Sequence, residues 1–223
     1  FAYKIGDIRL SADHIEFDDV KKGEKPQVTL FLLNAGKKEY KPELLHLPNY
    51  LTAKADPAVL RPGKMGKLVV TLKSNQLHGL GLTQSSVYLS RFAGDRVNKD
   101  NELGISVTLL PNFTTAELNS PQAPLAEMAT SIDLGAFNGK SKLKGTVVLT
   151  NKGQSPLVIN MLQVYNPGIS VALSKTTLRP GESTDMKIVV SSAVERFRGS
   201  RKVLLITNDP RHPKISLDVI TKK

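Results

Sequence analysis

The chain carries four histidines, His14, His46, His78 and His212, and no cysteine. No two histidines lie three to five residues apart, the spacing that sets two imidazoles on one side of a zinc ion. Without cysteine there is no disulfide, zinc–thiolate site, thiol nucleophile or iron–sulfur cluster. No Gly-x-Ser-x-Gly elbow is present to expose a nucleophilic serine. Gly63-Lys64-Met65-Gly66-Lys67 lacks the phosphate-loop spacing and the hydroxyl residue after lysine, and Gly79-Leu80-Gly81 lacks a third glycine in register. Asp95, Asn98, Asp100 and Glu102 offer oxygens to a hard cation, but without the glycine and spacing of a calcium loop. Asp18-Asp19 reads as a charged turn before Val20 rather than a catalytic pair. No residue is therefore assigned as catalytic, cofactor-binding or metal-binding. The expectation is a protein that is not an enzyme, takes no cofactor and is not built for a small-molecule ligand.

What remains is binding chemistry. The formal net charge is +11. Residues 1–113 carry 16 basic and 12 acidic side chains, and residues 114–223 carry 15 and 8, so neither part holds the whole excess. The densest cluster, a candidate basic patch, is Arg196, Arg198, Arg201 and Lys202. Such a patch suits phosphate or an anionic polymer. Single-strand recognition adds aromatic stacking, and only Phe197 interrupts the run, so nucleic acid is not expected and a solvated surface is the plainer reading. No window approaches the roughly 18 consecutive apolar residues of a membrane-spanning helix.

The elements that must position these residues repeat. Leu30-Phe31-Leu32-Leu33-Asn34-Ala35-Gly36 resembles Val147-Val148-Leu149-Thr150-Asn151-Lys152-Gly153, at an offset of 151 − 34 = 117. Ile15-Glu16-Phe17 matches Ile132-Asp133-Leu134 at the same offset. Leu60-Arg61-Pro62-Gly63 recurs as Leu178-Arg179-Pro180-Gly181, at 178 − 60 = 118. Asn-x-Gly closes an apolar run with a turn former and a glycine free to take φ > 0. Pro-Gly fits the centre of a type II turn, which places Gly63 and Gly181 at φ > 0. Between the copies, residues 114–130 contain Pro121 and Pro124 and no Lys or Arg, the composition of a linker. The expected organisation is an immunoglobulin-like domain over 1–113, a linker over 114–130 and a second such domain over 131–223.

The second copy divides into about seven short strands, alternating or β-branched and bounded by Gly, Pro, Asn or Asp. No stretch sustains a helical period. The fold class is all-β: two tandem immunoglobulin-like β-sandwiches of about seven strands each. Alternation places Val147, Leu149, Met186, Ile188 and Val190 in one core and Leu30, Leu32, Leu68, Val70 and Leu72 in the other. On the opposite face of copy one this leaves Phe31, Leu33 and Val69, a candidate partner-binding patch. The alternative is that the linker or the second domain covers them. Copy one also inserts the polar hairpin tip Ala93 to Asn101, a surface loop of the kind that often binds.

The order apolar–Asn-x-Gly, Pro156 to Ile159, Pro-Gly and then Thr207-Asn208-Asp209-Pro210 carries a resemblance. Residues 131–221 resemble a bacterial immunoglobulin-like family of unknown function, related to the major-sperm-protein and abnormal-spindle/hydin type of domain. Residues 8–111 resemble it more weakly. Many members of that family are exported, which implies an extracytoplasmic protein, periplasmic or cell-surface associated. On that reading Phe1 follows a removed export signal. The Cys-Gly-Cys segment of many members is replaced here by Tyr165-Asn166-Pro167-Gly168, so no metal or redox role carries over. The resemblance implies a binding or scaffolding protein with a protein partner. Two alternatives stay open. One is a periplasmic pilus-type chaperone that donates a strand through the alternating Leu103, Ile105, Val107 and Leu109. The other is an accessory carbohydrate-binding module, which the absence of Trp weakens.

Overall fold

The computed structural model describes all 223 residues, and they form two compact units. The first comprises Phe1–Gly79 with Thr83–Leu109, the second Leu80–Leu82 with Leu110–Lys223. Through the first run β1 (Tyr3–Ile5), β2 (Ile8–Leu10), β3 (His14–Lys21), β4 (Gln27–Asn34), β5 (Leu44–Leu45), β6 (Leu51–Asp56), β7 (Met65–Leu72), β8 (Gly81–Leu89), whose first two residues belong to the second unit, and β9 (Glu102–Leu110), whose last residue does. They form a five-stranded sheet of order β1-β2-β4-β7-β6 and a four-stranded sheet of order β3-β9-β8-β5. After a one-turn helix, α1 (Thr115–Leu118), come β10 (Ala126–Glu127), β11 (Ser131–Ala136), β12 (Lys142–Asn151), β13 (Leu157–Val164), β14 (Ile169–Leu173), β15 (Thr177–Leu178), β16 (Ser183–Ser191), β17 (Lys202–Thr207) and β18 (Lys214–Lys222). Their sheets have the orders β10-β12-β16-β14 and β11-β18-β17-β13-β15. The protein is two β-sandwiches of immunoglobulin-like type, as the strand pattern led one to expect.

Alternation decides which side chains enter each core. In β4 Leu30 and Leu32 are buried while Thr29 and Phe31 are exposed, and in β7 Leu68, Val70 and Leu72 are buried. In β12 and β16 the core takes Val147, Leu149, Met186, Ile188 and Val190, with Leu157, Val203, Leu205 and Leu217 from the facing sheet. In β4, β7, β12 and β16 these positions follow from a period of two, whereas β17 is buried from Val203 to Thr207 on both faces. Asp18 and Asp19 lie inside β3 rather than in a turn; Asp19, at φ 53°, interrupts the alternation so that Val20 returns to the core.

The repeated landmarks are matched bond for bond. Asn34 is buried, and its amide donates to the carbonyls of Lys38 (2.8 Å) and Leu60 (2.9 Å) while its Oδ1 accepts from the Gly36 N–H (3.0 Å). Asn151 donates to Ser155 (2.8 Å) and Leu178 (3.0 Å) and accepts from Gly153 (2.9 Å). A buried amide must be bonded, and each of these joins three stretches of backbone that would otherwise bury unpaired carbonyls. Gly63 and Gly181 stand at φ 74° and 80°, and their N–H groups donate to the carbonyls of Asn34 and Asn151. The glycines of Asn-x-Gly do not use the freedom to take positive φ. Gly36 and Gly153 are not at positive φ; a Cβ on Gly153 would meet the Leu125 nitrogen at 2.5 Å and the Pro124 carbonyl carbon at 2.7 Å. At position 153 close approach of backbone, not left-handed geometry, requires glycine, whereas a Cβ on Gly36 would meet only the Asp7 and Asn34 side chains, from 3.0 Å outwards.

The stretch expected as a linker, 114–130, lies within the second compact unit. Thr114 caps α1 by accepting from the Glu117 N–H (3.1 Å), and Ala126–Glu127 pairs with Thr150–Asn151 as β10. The Ala126 N–H donates to the buried Asp209 carboxylate (2.8 Å), which also accepts from the Arg211 N–H (2.9 Å). Thr207-Asn208-Asp209-Pro210 thus anchors the segment, a bond between residues 83 apart that no local pattern announces. Within the same unit the Gln163 amide accepts from the Leu82 N–H (2.7 Å) and donates to the Leu82 carbonyl (3.0 Å).

Candidate partner-binding face

Strand register builds the outer face of the five-stranded sheet row by row. Lys4, Arg9, Leu33 and Met65 are directly opposite one another across β1, β2, β4 and β7. The next row is Phe31, Lys67 and Asp56 across β4, β7 and β6, and the one after it Thr29, Val69 and Lys54. Residues directly opposite in antiparallel strands share a face and touch. The candidate residues Phe31, Leu33 and Val69 therefore share one outward face in three successive rows, with Lys67 opposite Phe31 and between Met65 and Val69 along β7. Phe31 is 48% exposed, and Leu33 and Val69 are partly buried.

Sequence reasoning missed the fourth member. Met65, 58% exposed, lies opposite Leu33. It follows closely on the Pro62-Gly63 turn, ahead of the Leu68, Val70 and Leu72 alternation that marks the strand in the sequence. The signal was there: Gly66 continues the inward alternation of Leu68 and Val70, and a Cβ on it would meet Leu60 Cδ2 at 2.6 Å. Cations border the apolar group. Lys4 and Arg9 lie on the β1–β2 side and Lys54 on the β6 side, all exposed. Lys67 pairs with Asp56 at 3.7 Å.

The corresponding positions of the second unit, at the offsets of 117 and 118, are Val148, Thr150, Ser183 and Lys187. Thr150 and Ser183, in place of Leu33 and Met65, join their hydroxyls at 2.7 Å. Val148 alone is apolar and well exposed among them. The same framework thus carries a polar face in one unit and an apolar one in the other, and packing cannot require the difference.

The candidate basic patch is partly neutralised. Arg201 donates to Glu195 (3.3 Å) and to the Thr221 hydroxyl (2.6 Å), and Lys202 stands 4.0 Å from Asp218. Glu195 also meets Lys223 at 3.7 Å. Arg196 closes the short 3₁₀ turn Ser192–Arg196 and is exposed, as is Arg198. The four residues are near in sequence, but carboxylates face Arg201 and Lys202, so they are not one unopposed cationic surface.

The hairpin tip of the first unit is an ordered structure. The Asp95 side chain is almost fully buried and accepts from Arg91 Nε (2.8 Å), Arg91 Nη2 (2.9 Å), and the N–H groups of Arg91 (2.9 Å) and Arg96 (2.8 Å). The Arg91 guanidinium, above all, holds this carboxyl below the usual carboxylate range. Asn101 adds a bond to the Arg96 carbonyl (3.0 Å). Asp95 is thereby committed to arginine, and no group of three His, Asp or Glu side chains gathers as metal ligands anywhere in the chain. Burial, followed by Asp95 and Glu43, pushes the Tyr40 phenol above its ordinary range, so it stays protonated and donates to the Ser90 carbonyl (2.6 Å).

Leu103, Ile105, Val107 and Leu109, the residues a strand donor would present, are buried in the core. Their strand, β9, has neighbours on both sides, β3 and β8.

The two sandwiches and their surfaces define a protein of two immunoglobulin-like domains. Residues 124–220 match the family model of the HYDIN/CFA65/VesB-like, Ig-like domain. The match falls where the sequence resembled a hydin-type domain. A crystal structure of a protein of unknown function from Porphyromonas gingivalis W83 is similar over the whole length: 19% identity, 98% of this chain and 100% of that one, TM-score 0.72. That likeness supports the fold. Looser similarity extends to the E. coli chaperone DraB (11% identity, 96% and 98% of the two chains, TM-score 0.36) and the Vibrio cholerae VesB protease (12%, 79% and 64%, TM-score 0.35). No curated protein sequence matches the chain.

Proposed function

We propose that this is a non-catalytic binding or scaffolding protein that works through protein–protein contacts, with the outer β4–β7 face of the first unit as its contact surface. The observation that carries the reading is the group Phe31, Leu33, Met65 and Val69 on one outer sheet face, set against Val148, Thr150, Ser183 and Lys187 at the corresponding positions of the second unit. Apolar side chains adjoining on an outer sheet face are the common mark of an interface. Burying them contributes about 25 cal/mol per Å² of apolar area, enough for a few anchors to dominate affinity. On this reading the second unit is a supporting copy of the same domain type, and the two arose by duplication. The support is the shared Asn, Pro-Gly and cross-strand geometry. We place the protein outside the cytoplasm, periplasmic or at the cell surface, on its resemblance to exported families. No helix is long and apolar enough to cross a membrane.

Phe31→Asp with Leu33→Asn tests the reading. The double variant is expected to stay folded, to melt within several degrees of the unaltered protein, and to lose its co-purifying protein partner. A large fall in melting temperature would mean that the two side chains hold the fold together, and would remove the face as a partner site.

A further inference from the structure

We infer that the partner segment is an amphipathic α-helix with acidic residues along both flanks of its apolar stripe; the inference rests on the proposed β4–β7 contact face and names what fits it. The apolar side chains lie on two adjacent strands, Leu33 and Phe31 on β4 and Met65 and Val69 on β7, with Lys67, paired to Asp56, between the last two. Cations stand on both sides of that stripe, Arg9 and Lys4 across β2 and β1, Lys54 across β6. All three are exposed, and none has a carboxylate within ion-pair distance. On the same face the only acidic side chain of the strand rows is Asp56, already paired with Lys67.

Width selects a helix. From β2 to β6 are three strand spacings, about 14 Å at roughly 4.8 Å each. A helix with its side chains is about 10–12 Å across, so its apolar stripe can rest on β4 and β7 while its flanks reach Arg9 and Lys54 together. A single extended strand laid on the face would reach one side only. Complementary charge at such a rim sets orientation and partner choice, while the apolar middle supplies the affinity.

The test uses the full chain and a labelled 18-residue model helix with leucines on one face and glutamates on both flanks, beside a twin with lysines in place of the glutamates. Fluorescence anisotropy is expected to show the acidic helix bound about tenfold more tightly than the basic one. Arg9→Glu with Lys54→Glu should reverse that preference, and Phe31→Asp should abolish binding of both. Equal binding of the two helices that Phe31→Asp still removes would keep the contact face and overturn the acidic-helix inference. Binding of neither helix would overturn it as well. So would self-association abolished by Phe31→Asp, or binding of anionic phosphatidylglycerol vesicles without the acidic helix. In all of these the partner-capture assay of the double variant judges the contact face separately.

Discussion

Asn34 and Asn151 show how much one side chain can hold. Each satisfies two carbonyls and the N–H of the following glycine, Asn151 the Leu125 N–H as well, and replacement by alanine leaves those groups desolvated and unpaired. We expect Asn34→Ala and Asn151→Ala each to cost about 2–4 kcal/mol, read from urea unfolding. A loss under about 0.5 kcal/mol would mean that water replaces the amide. Gly63 and Gly181 make a smaller demand: valine at either meets positive φ, and about 1–2 kcal/mol should follow. Asp95 brings pH dependence. Its carboxyl is held below the usual range by Arg91, so the folded state binds the proton less readily than the unfolded chain. The stabilisation is fully present above about pH 4 and falls away as pH drops below it. Melting curves from pH 6 to pH 2.5 should therefore fall more gently for Asp95→Asn, from a lower starting point. Parallel curves would show that another carboxylate governs acid unfolding.

Among the elements, the strands were legible in the sequence because their period of two is imposed by burial on one face. The alternation of Val147 with Leu149 and of Met186, Ile188 and Val190 required no tertiary information. Pro-Gly at 62–63 and 180–181 was legible for the same local reason, the φ of a turn. What escaped notice was set by distance. β10 is two residues held by Asn151 and Asp209, so nothing in 114–130 marks it as a strand. Met65 lies between the Pro62-Gly63 turn and the alternation that marks the strand. The hairpin tip was read as a polar loop because the bonds from Arg91 to Asp95 arise from geometry, not from spacing. The face assignment of β4 yields a direct comparison. Leu32→Asn, on the inner face, should destabilise by about 3 kcal/mol or more, since it buries an amide without a partner. Phe31→Asp, one residue away, should cost at most about 1 kcal/mol, the span of strand preference. Guanidinium unfolding of the two variants decides whether the face is as drawn.

For the molecule as a whole, each unit has its own core, and the second is built around Leu149, Leu157, Met186, Ile188 and Leu205. Residues 110–223 are expected to fold as a separate chain, with one cooperative transition by circular dichroism. A broad, non-cooperative melt would show that this core is incomplete. The charge of +11 is shared between the halves and does not by itself select a ligand. The apolar group on one sheet face, absent from the matching positions of the other unit, is what the proposed function rests on. Its most direct test is photocrosslinking in the cells that make the protein. A photoreactive phenylalanine would be placed at position 31, or in a control at position 148. The account predicts a discrete protein adduct from position 31, lost when Met65→Asp is added, and none from position 148. Adducts of equal yield from both positions, or none from position 31, would contradict it.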